Sequence, residues 1–162
     1  MTKLLIPDHI LRETERALRA AGSRRRPHES VVYWAGRTSG EDDLVCAVVV
    51  PDAKTTPYNF SVSAKANARA IIWMASHHLE VVAQVHTHPG DIVSHSDWDD
   101  DHAFMRFDGI WSVVIPHYAR KGILPSTGWG VHRCEQGGFR ELDVPEIAAS
   151  LKVIPSVGDL SA

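Results

Sequence analysis

The chain has 162 residues, of which 44% are apolar and 7% aromatic, enough for one domain with one core and too apolar for a disordered chain. Lys and Arg total 17 against 20 Asp and Glu, a formal charge of −3. That balance gives no global electrostatic case for nucleic-acid binding, which favours a basic surface. Residues 8–21 place Ile10, Leu11, Thr14, Ala17, Leu18 and Ala21 on one stripe, so an amphipathic helix stopped by Gly22 is predicted there. A polar loop with Arg24, Arg25 and Arg26 follows. Residues 31–35 read as a strand and 44–50 as a second, buried one, closed by Pro51. After a loop at 52–57, residues 63–78 form a helix whose small side chains suit close packing on a sheet. Then come a strand at 81–88, a helix at 97–107, a strand at 110–115, a loop at 118–126, and strands at 127–134 and 139–142.

This order predicts an α/β fold of three layers, a mixed central sheet flanked by helices. The expected domain is residues 1–143, with 144–162 as a tail that begins as a short helix and continues disordered. Cys46 and Cys134 are too few for a disulfide framework or a four-sulfur metal site, and both read as buried reduced thiols. The start does not read as a signal peptide, since Leu4-Leu5-Ile6 runs straight into Pro7, Asp8 and His9. The longest apolar run, residues 45–50, is too short to span a bilayer. A cytoplasmic protein with no membrane or nucleic-acid partner is the expectation.

Histidine stands out, with ten in the chain and a cluster in its middle. His86 and His88 are two apart on a predicted strand, so both imidazoles project from one face at its end. Pro89 and Gly90 turn the chain and Ser96 opens a helix, with Asp99 in its first turn. Ser96-Asp97-Trp98-Asp99 reads as a capping box, and the cap leaves Asp99 eligible as a third ligand beside the two histidines. His77 and His78 read as helix-end caps, while His117 and His132 read as structural. His95 and His102 are candidates to support the ligands, and one of Asp97, Asp100 and Asp101 to orient a ligand histidine. A zinc nucleobase deaminase is excluded because the H-x-E and P-C-x-x-C pattern is missing, and a helical H-E-x-x-H is missing too.

His86-Thr87-His88-Pro89, with seven residues between His88 and Ser96 and then Asp99, resembles the JAMM motif of the JAB/MPN metallopeptidases, in particular their compact prokaryotic members. Pro27-His28-Glu29, leading into the first core strand, matches the upstream glutamate of that pattern. Where many members carry glycine three residues after the glutamate, this chain has Val32, and its nearest glycine is Gly36. The resemblance implies one zinc ion per chain held by His86, His88 and Asp99, with Glu29 as general base and proton shuttle. It implies Ser96 as a donor to the oxyanion. It further implies a peptidase or isopeptidase acting after the C-terminal glycine of a ubiquitin-like protein or its conjugate. A sulfur-carrier protein of cysteine metabolism presents the same kind of tail. Metal-free scaffolding members of the fold are the alternative. The loops at 38–43 and 118–127, with the edge strand, are the expected groove for the tail.

Overall fold

Alternation along one strand organises the molecule. β2 (Val31–Ser39) sends Val32 and Trp34 to one face of the sheet and Val31, Tyr33 and Ala35 to the other, and all five are buried. A strand buried on both faces has to lie inside a sheet covered by helices. In the computed structural model, which describes residues 2–22, 25–124 and 126–156, it does. The other strands are β1 (Lys3–Pro7), β3 (Asp42–Val49), β6 (Glu80–Thr87), β7 (Trp111–Ile115), β8 (Gly130–Glu135), β9 (Gly138–Glu141) and β10 (Leu151–Ile154), with a separate ribbon of β4 (Ala53–Thr55) and β5 (Phe60–Val62). The main sheet has the order β10-β1-β3-β2-β6-β7-β8-β9. It mixes antiparallel pairs such as β2–β6 with parallel pairs such as β6–β7.

Helices cover both faces, as the three-layer reading expects. α1 (Asp8–Gly22) lays Ile10, Leu11 and Leu18 against Val32, Trp34, Val85 and Val113. Thr14, on the same stripe, accepts from Trp34 Nε1 at 2.8 Å and donates to the Ile10 carbonyl at 2.8 Å, so the buried indole N–H is paired. α2 (Ala64–Ser76) covers the other face with Ala70 and Met74 against Val31, Tyr33 and Ala35. Ser63 caps it by accepting from the Ala66 amide. At Gly36 an added Cβ would stand 2.0 Å from the Leu44 carbonyl oxygen, so the bulge where β2 bends past β3 needs glycine there.

Several expectations change. The predicted helix at 97–107 shortens to α3 (Asp97–Asp101), although residues 102–107 include good helix formers. Phe104 stacks on Tyr33 at 4.1 Å, and its amide donates to Gln84 Oε1 at 2.8 Å, so tertiary contacts take the backbone out of the helical ladder. Residues 144–162 are more than a loose tail: α4 (Val144–Ser150) leads into β10, which pairs parallel with β1. Asp143 and Glu146 form a capping box that starts α4. Residues 157–162 lie outside the described residues, as does Arg24 in the predicted arginine loop. A bulge in β6 breaks the simple alternation, putting Val81 against the α2 cluster and Val82 beside Ala83 in the α1 cluster. Cys134 is buried as expected, whereas Cys46 is exposed. Among the described residues no helix is long and apolar enough to cross a membrane.

Candidate metal centre

Three elements meet at the C-terminal end of β6. His86 stands opposite Val31 of β2, on the α2 side, and is completely buried. His88 lies just past the strand, where its amide donates to the Ile115 carbonyl of β7 at 2.9 Å. Asp99 comes from α3, whose start is fixed by the predicted capping box: the Asp99 amide donates to Ser96 Oγ at 3.3 Å, and the Ser96 amide donates to Asp99 Oδ2 at 2.7 Å. The loop before α3 is pressed onto β8, because the Val93 carbonyl occupies the place where a Cβ at Gly130 would stand, 1.9 Å away.

These placements bring three donor atoms together. His86 Nε2 and His88 Nε2 are 3.3 Å apart, Asp99 Oδ1 is 3.2 Å from the first and Asp99 Oδ2 is 3.2 Å from the second. Ligands about 2.0–2.1 Å from a tetrahedral zinc ion stand about 3.3 Å from one another, which is this spacing. The tautomer agrees: His88 Nδ1 donates to the Ile92 carbonyl at 2.9 Å, which leaves the Nε2 lone pair directed at the cluster. Two imidazoles and a carboxylate, buried and converging, therefore fit a metal ion. His86 Nδ1 has no hydrogen-bond partner among the described residues.

Burial and neighbours set the charges. Burial pushes His86 down to about 4, against the pull of Asp99, so that ring is neutral. Burial also opposes ionisation of Asp99, but hydrogen bonds from His86 and His88 outweigh it and hold the carboxyl far below its ordinary range. His88 moves upward because Asp99 and the Ile92 carbonyl overcome its desolvation.

Glu29 sits immediately before β2, two residues from Val31 and hence on the same face as His86. Its amide donates to the Thr56 carbonyl at 2.9 Å, and its carboxylate has no hydrogen-bond partner among the described residues. Burial pushes that carboxyl up to about 7, with the His88 charge pulling it down and Asp99 adding to the rise. A carboxylate poised near neutrality is suited to taking and giving protons. Ser96 is close by, but its hydroxyl donates to Asp99 Oδ2 at 2.7 Å. Val32, where glycine was the family pattern, is 1% exposed and fills the α1 cluster.

Other expectations sort cleanly. Asp100 bonds His95 Nδ1 at 2.8 Å rather than a ligand histidine, and Asp101 lies 3.9 Å from Arg106. His102 stacks on Trp98 at 3.7 Å on the surface, away from any supporting role. His95 does stand beside the ligands, its ring 5.9 Å from that of His86, with Nε2 bonded to Ser112 Oγ at 2.8 Å. His132 stacks on His95 at 3.9 Å, and its Nε2 accepts the His95 amide at 3.3 Å. The signal for this buried pair was a row of polar residues, Gln84, Ser112 and His132, in otherwise apolar strands. It becomes legible once Gln84 is seen opposite Ser112, and Ser112 opposite His132. The loop at 38–43 is remote from the centre: it joins β2 to β3 at the far end, roughly 26 Å along the strand from Val31. There it borders a cavity of about 630 Å³ with Ile71, Met74, Phe107 and Arg133.

A mixed α/β sheet with His-His-Asp donors at a strand end defines the JAB-type class of domain. The sequence pattern of the prokaryotic homologs of the JAB domain matches residues 11–124, and the chain belongs to that family. A relative named probable metalloprotease y4jG, from Sinorhizobium fredii (strain NBRC 101917 / NGR234), is 26% identical over 120 residues, covering 72% of each chain. The solution structure of protein DSY2949 from Desulfitobacterium hafniense shares the fold, with a TM-score of 0.67 at 17% identity over 94% of this chain and 95% of that one. AF2198, a JAB1/MPN domain protein from Archaeoglobus fulgidus, aligns over 88% of this chain and 95% of its own, with a TM-score of 0.47 and 16% identity.

Proposed function

We propose that the chain is a zinc-dependent peptidase or isopeptidase, with one zinc ion per chain held by His86, His88 and Asp99. The observation that carries this reading is Glu29, a carboxylate without a hydrogen-bond partner among the described residues, raised to about 7 on the same sheet face as the three converged donors. A zinc ion in such a site polarises a substrate carbonyl and acidifies water. Glu29 takes the proton from the attacking water as its oxygen bonds to the carbonyl carbon. It then gives that proton to the amine nitrogen as the C–N bond breaks, so one carboxylate serves as base and then acid. Buried His86 stays neutral, and the Ile92 carbonyl, by accepting from His88 Nδ1, directs His88 Nε2 at the cluster. Ser96 is the proposed oxyanion donor. Its hydroxyl must leave Asp99 Oδ2 to serve, so it exchanges a carboxylate acceptor for the developing negative oxygen.

The proposed substrate is a ubiquitin-like protein or its conjugate, cut after the C-terminal glycine. A sulfur-carrier protein with the same kind of tail is the second reading within this chemistry, and a non-catalytic JAB-fold binding module is the reading outside it. Of the two proposed groove loops, the one that starts at Tyr118 lies against the centre, through the Tyr118 amide on the His88 carbonyl. The deciding experiment combines metal analysis with a panel of ubiquitin-like fusions, including a sulfur-carrier protein, ending in Gly-Gly or Ala-Ala. Zinc near one per chain, a rise in thermal stability on zinc addition, and cleavage of Gly-Gly alone are expected. Failure to bind zinc removes the site assignment. Zinc binding without cleavage of any fusion favours the binding module, and equal cleavage of both tails removes the tail reading.

A further inference from the structure

The turn after β7 breaks a backbone rule. His117, Tyr118 and Ala119 have φ of 56°, 54° and 56°, three successive residues in the left-handed region that a Cβ disfavours. Such a conformation persists where surrounding contacts over-determine it, and it concentrates at functional sites. The contacts are present. The His117 amide donates to the Gly90 carbonyl at 3.2 Å and the Tyr118 amide to the His88 carbonyl at 2.8 Å. Ala119 is fully buried in the α1 cluster, which anchors the end of the turn.

The outcome of this strained turn is the position of one side chain. The Tyr118 hydroxyl donates to the Pro57 carbonyl at 2.8 Å. The neighbouring carbonyl, that of Thr56, is the one that accepts the Glu29 amide at 2.9 Å. Tyr118 thus spans the centre: its backbone holds the residue that carries a metal-ligating imidazole, and its hydroxyl holds the loop that fixes Glu29. The chain supplies these parts from four separate stretches, Glu29, Thr56-Pro57, His88 and Tyr118. Ser30 and Thr87, the neighbours of Glu29 and His88, pair directly, with the Thr87 amide on the Ser30 carbonyl at 3.0 Å and the Ser30 amide on Thr87 Oγ1 at 2.9 Å, and the link from Tyr118 to the 56–57 peptide adds a second tie.

We propose that Tyr118 is a positioning residue for Glu29, a brace that fixes the proton-carrying carboxylate relative to the ligand histidines through the 56–57 peptide. This rests on the hydrolase reading for its consequence, though not for the brace itself. Burial, together with the nearby Glu29 charge, keeps the Tyr118 hydroxyl protonated, so it remains a donor. A phenylalanine would keep the ring, the backbone bond and the turn, and lose the hydroxyl alone.

The test is Tyr118→Phe, read in two ways. In amide hydrogen exchange, the Glu29 N–H should exchange about five- to tenfold faster while the core amide of Val85 stays unchanged, because one neutral hydrogen bond is lost. Unchanged exchange at Glu29 overturns the brace, whatever the protein hydrolyses. In turnover of a Gly-Gly fusion, kcat should fall about tenfold with KM and zinc affinity within twofold. The same change made in a Glu29→Gln background should cost nothing further, since a brace acts through what it holds. An additive loss in the double variant would show that Tyr118 acts independently of Glu29 and overturn the proposal. If the parent cleaves no fusion, the hydrolase reading fails and the exchange result still decides the brace.

Discussion

The two faces of the central sheet take opposite characters from the same strands. On the α1 side, Val32, Trp34, Val85, Val113 and Trp129 form a continuous apolar cluster. On the α2 side, the alternate positions give a smaller cluster around Tyr33 and Met74 and, toward the end of β6, Glu29, His86, His95 and His132. The period of two along each strand therefore divides stability from chemistry residue by residue. Polar groups on the second face escape the cost of burial by pairing in sets, as Ser112 and Asp100 do with His95. Where a group has no such partner among the described residues, as with the Glu29 carboxylate, the lost solvation raises its pKa toward neutrality.

Substitutions on the two faces should break in different ways. The largest effect is expected from Glu29→Gln, which should lower turnover about a hundred- to ten-thousand-fold while zinc binding is kept, measured by single-turnover assay beside metal analysis. On the opposite face, Trp34→Ala should destabilise the protein by about 3–5 kcal/mol in denaturant unfolding without changing the metal ligands, because Trp34 is fully buried against α1. Retained stability there would contradict the division of labour.

Metal-free protein offers a sharper contrast through pH. Glu29 binds its proton more tightly folded, near 7, than unfolded, near 4.5, so its contribution to stability falls as pH rises between those values. Glu29→Gln should therefore stabilise the metal-stripped chain by about 3 kcal/mol at pH 8, an advantage that shrinks to nothing below pH 4.5. A pH-independent difference between the two proteins would show that Glu29 is not held neutral by burial. The smallest effect concerns the strained turn. His117→Gly should raise stability by about 1 kcal/mol, since glycine accepts a φ of 56° and the two side-chain partners of His117, Asp91 and Lys121, are exposed and contribute little. Thermal melts at matched pH would register it.

Much of this arrangement was legible in the amino-acid sequence, for reasons that can be named. α1 and α2 announce themselves by stripes of period 3.6, and the donors by a two-residue spacing on a strand followed by a helix cap. His86, His88 and Asp99 were readable because their positions depend on local geometry at the ends of elements, whereas Glu29 was named only through the resemblance to the JAB/MPN pattern. What stayed hidden depends on partners distant in sequence. β1 and β10 are only five and four residues long and carry no strong alternation of residue type, so β1 becomes a strand by pairing with β3 and β10, and β10 by pairing with β1. The helix expected at 102–107 yields to Tyr33 and Gln84, which nothing in its own sequence reveals. The stacking of His95 on His132 likewise requires the register of β7 with β8.

The pairing of β10 with β1 carries a consequence for how the chain is made. β1 precedes the other strands in chain order, yet its outer neighbour is β10, and Ser156 closes over the start of α1 by donating its amide to Asp8 at 3.0 Å. Until residues 151–156 leave the ribosome, β1 presents an open edge with Leu4 and Ile6 on one side of it. A nascent chain that already holds the His86, His88 and Asp99 donors together is thus still adhesive along that edge. Stalling or truncation before Leu151 would release a chain with its candidate metal centre assembled and one edge exposed to strand-by-strand association.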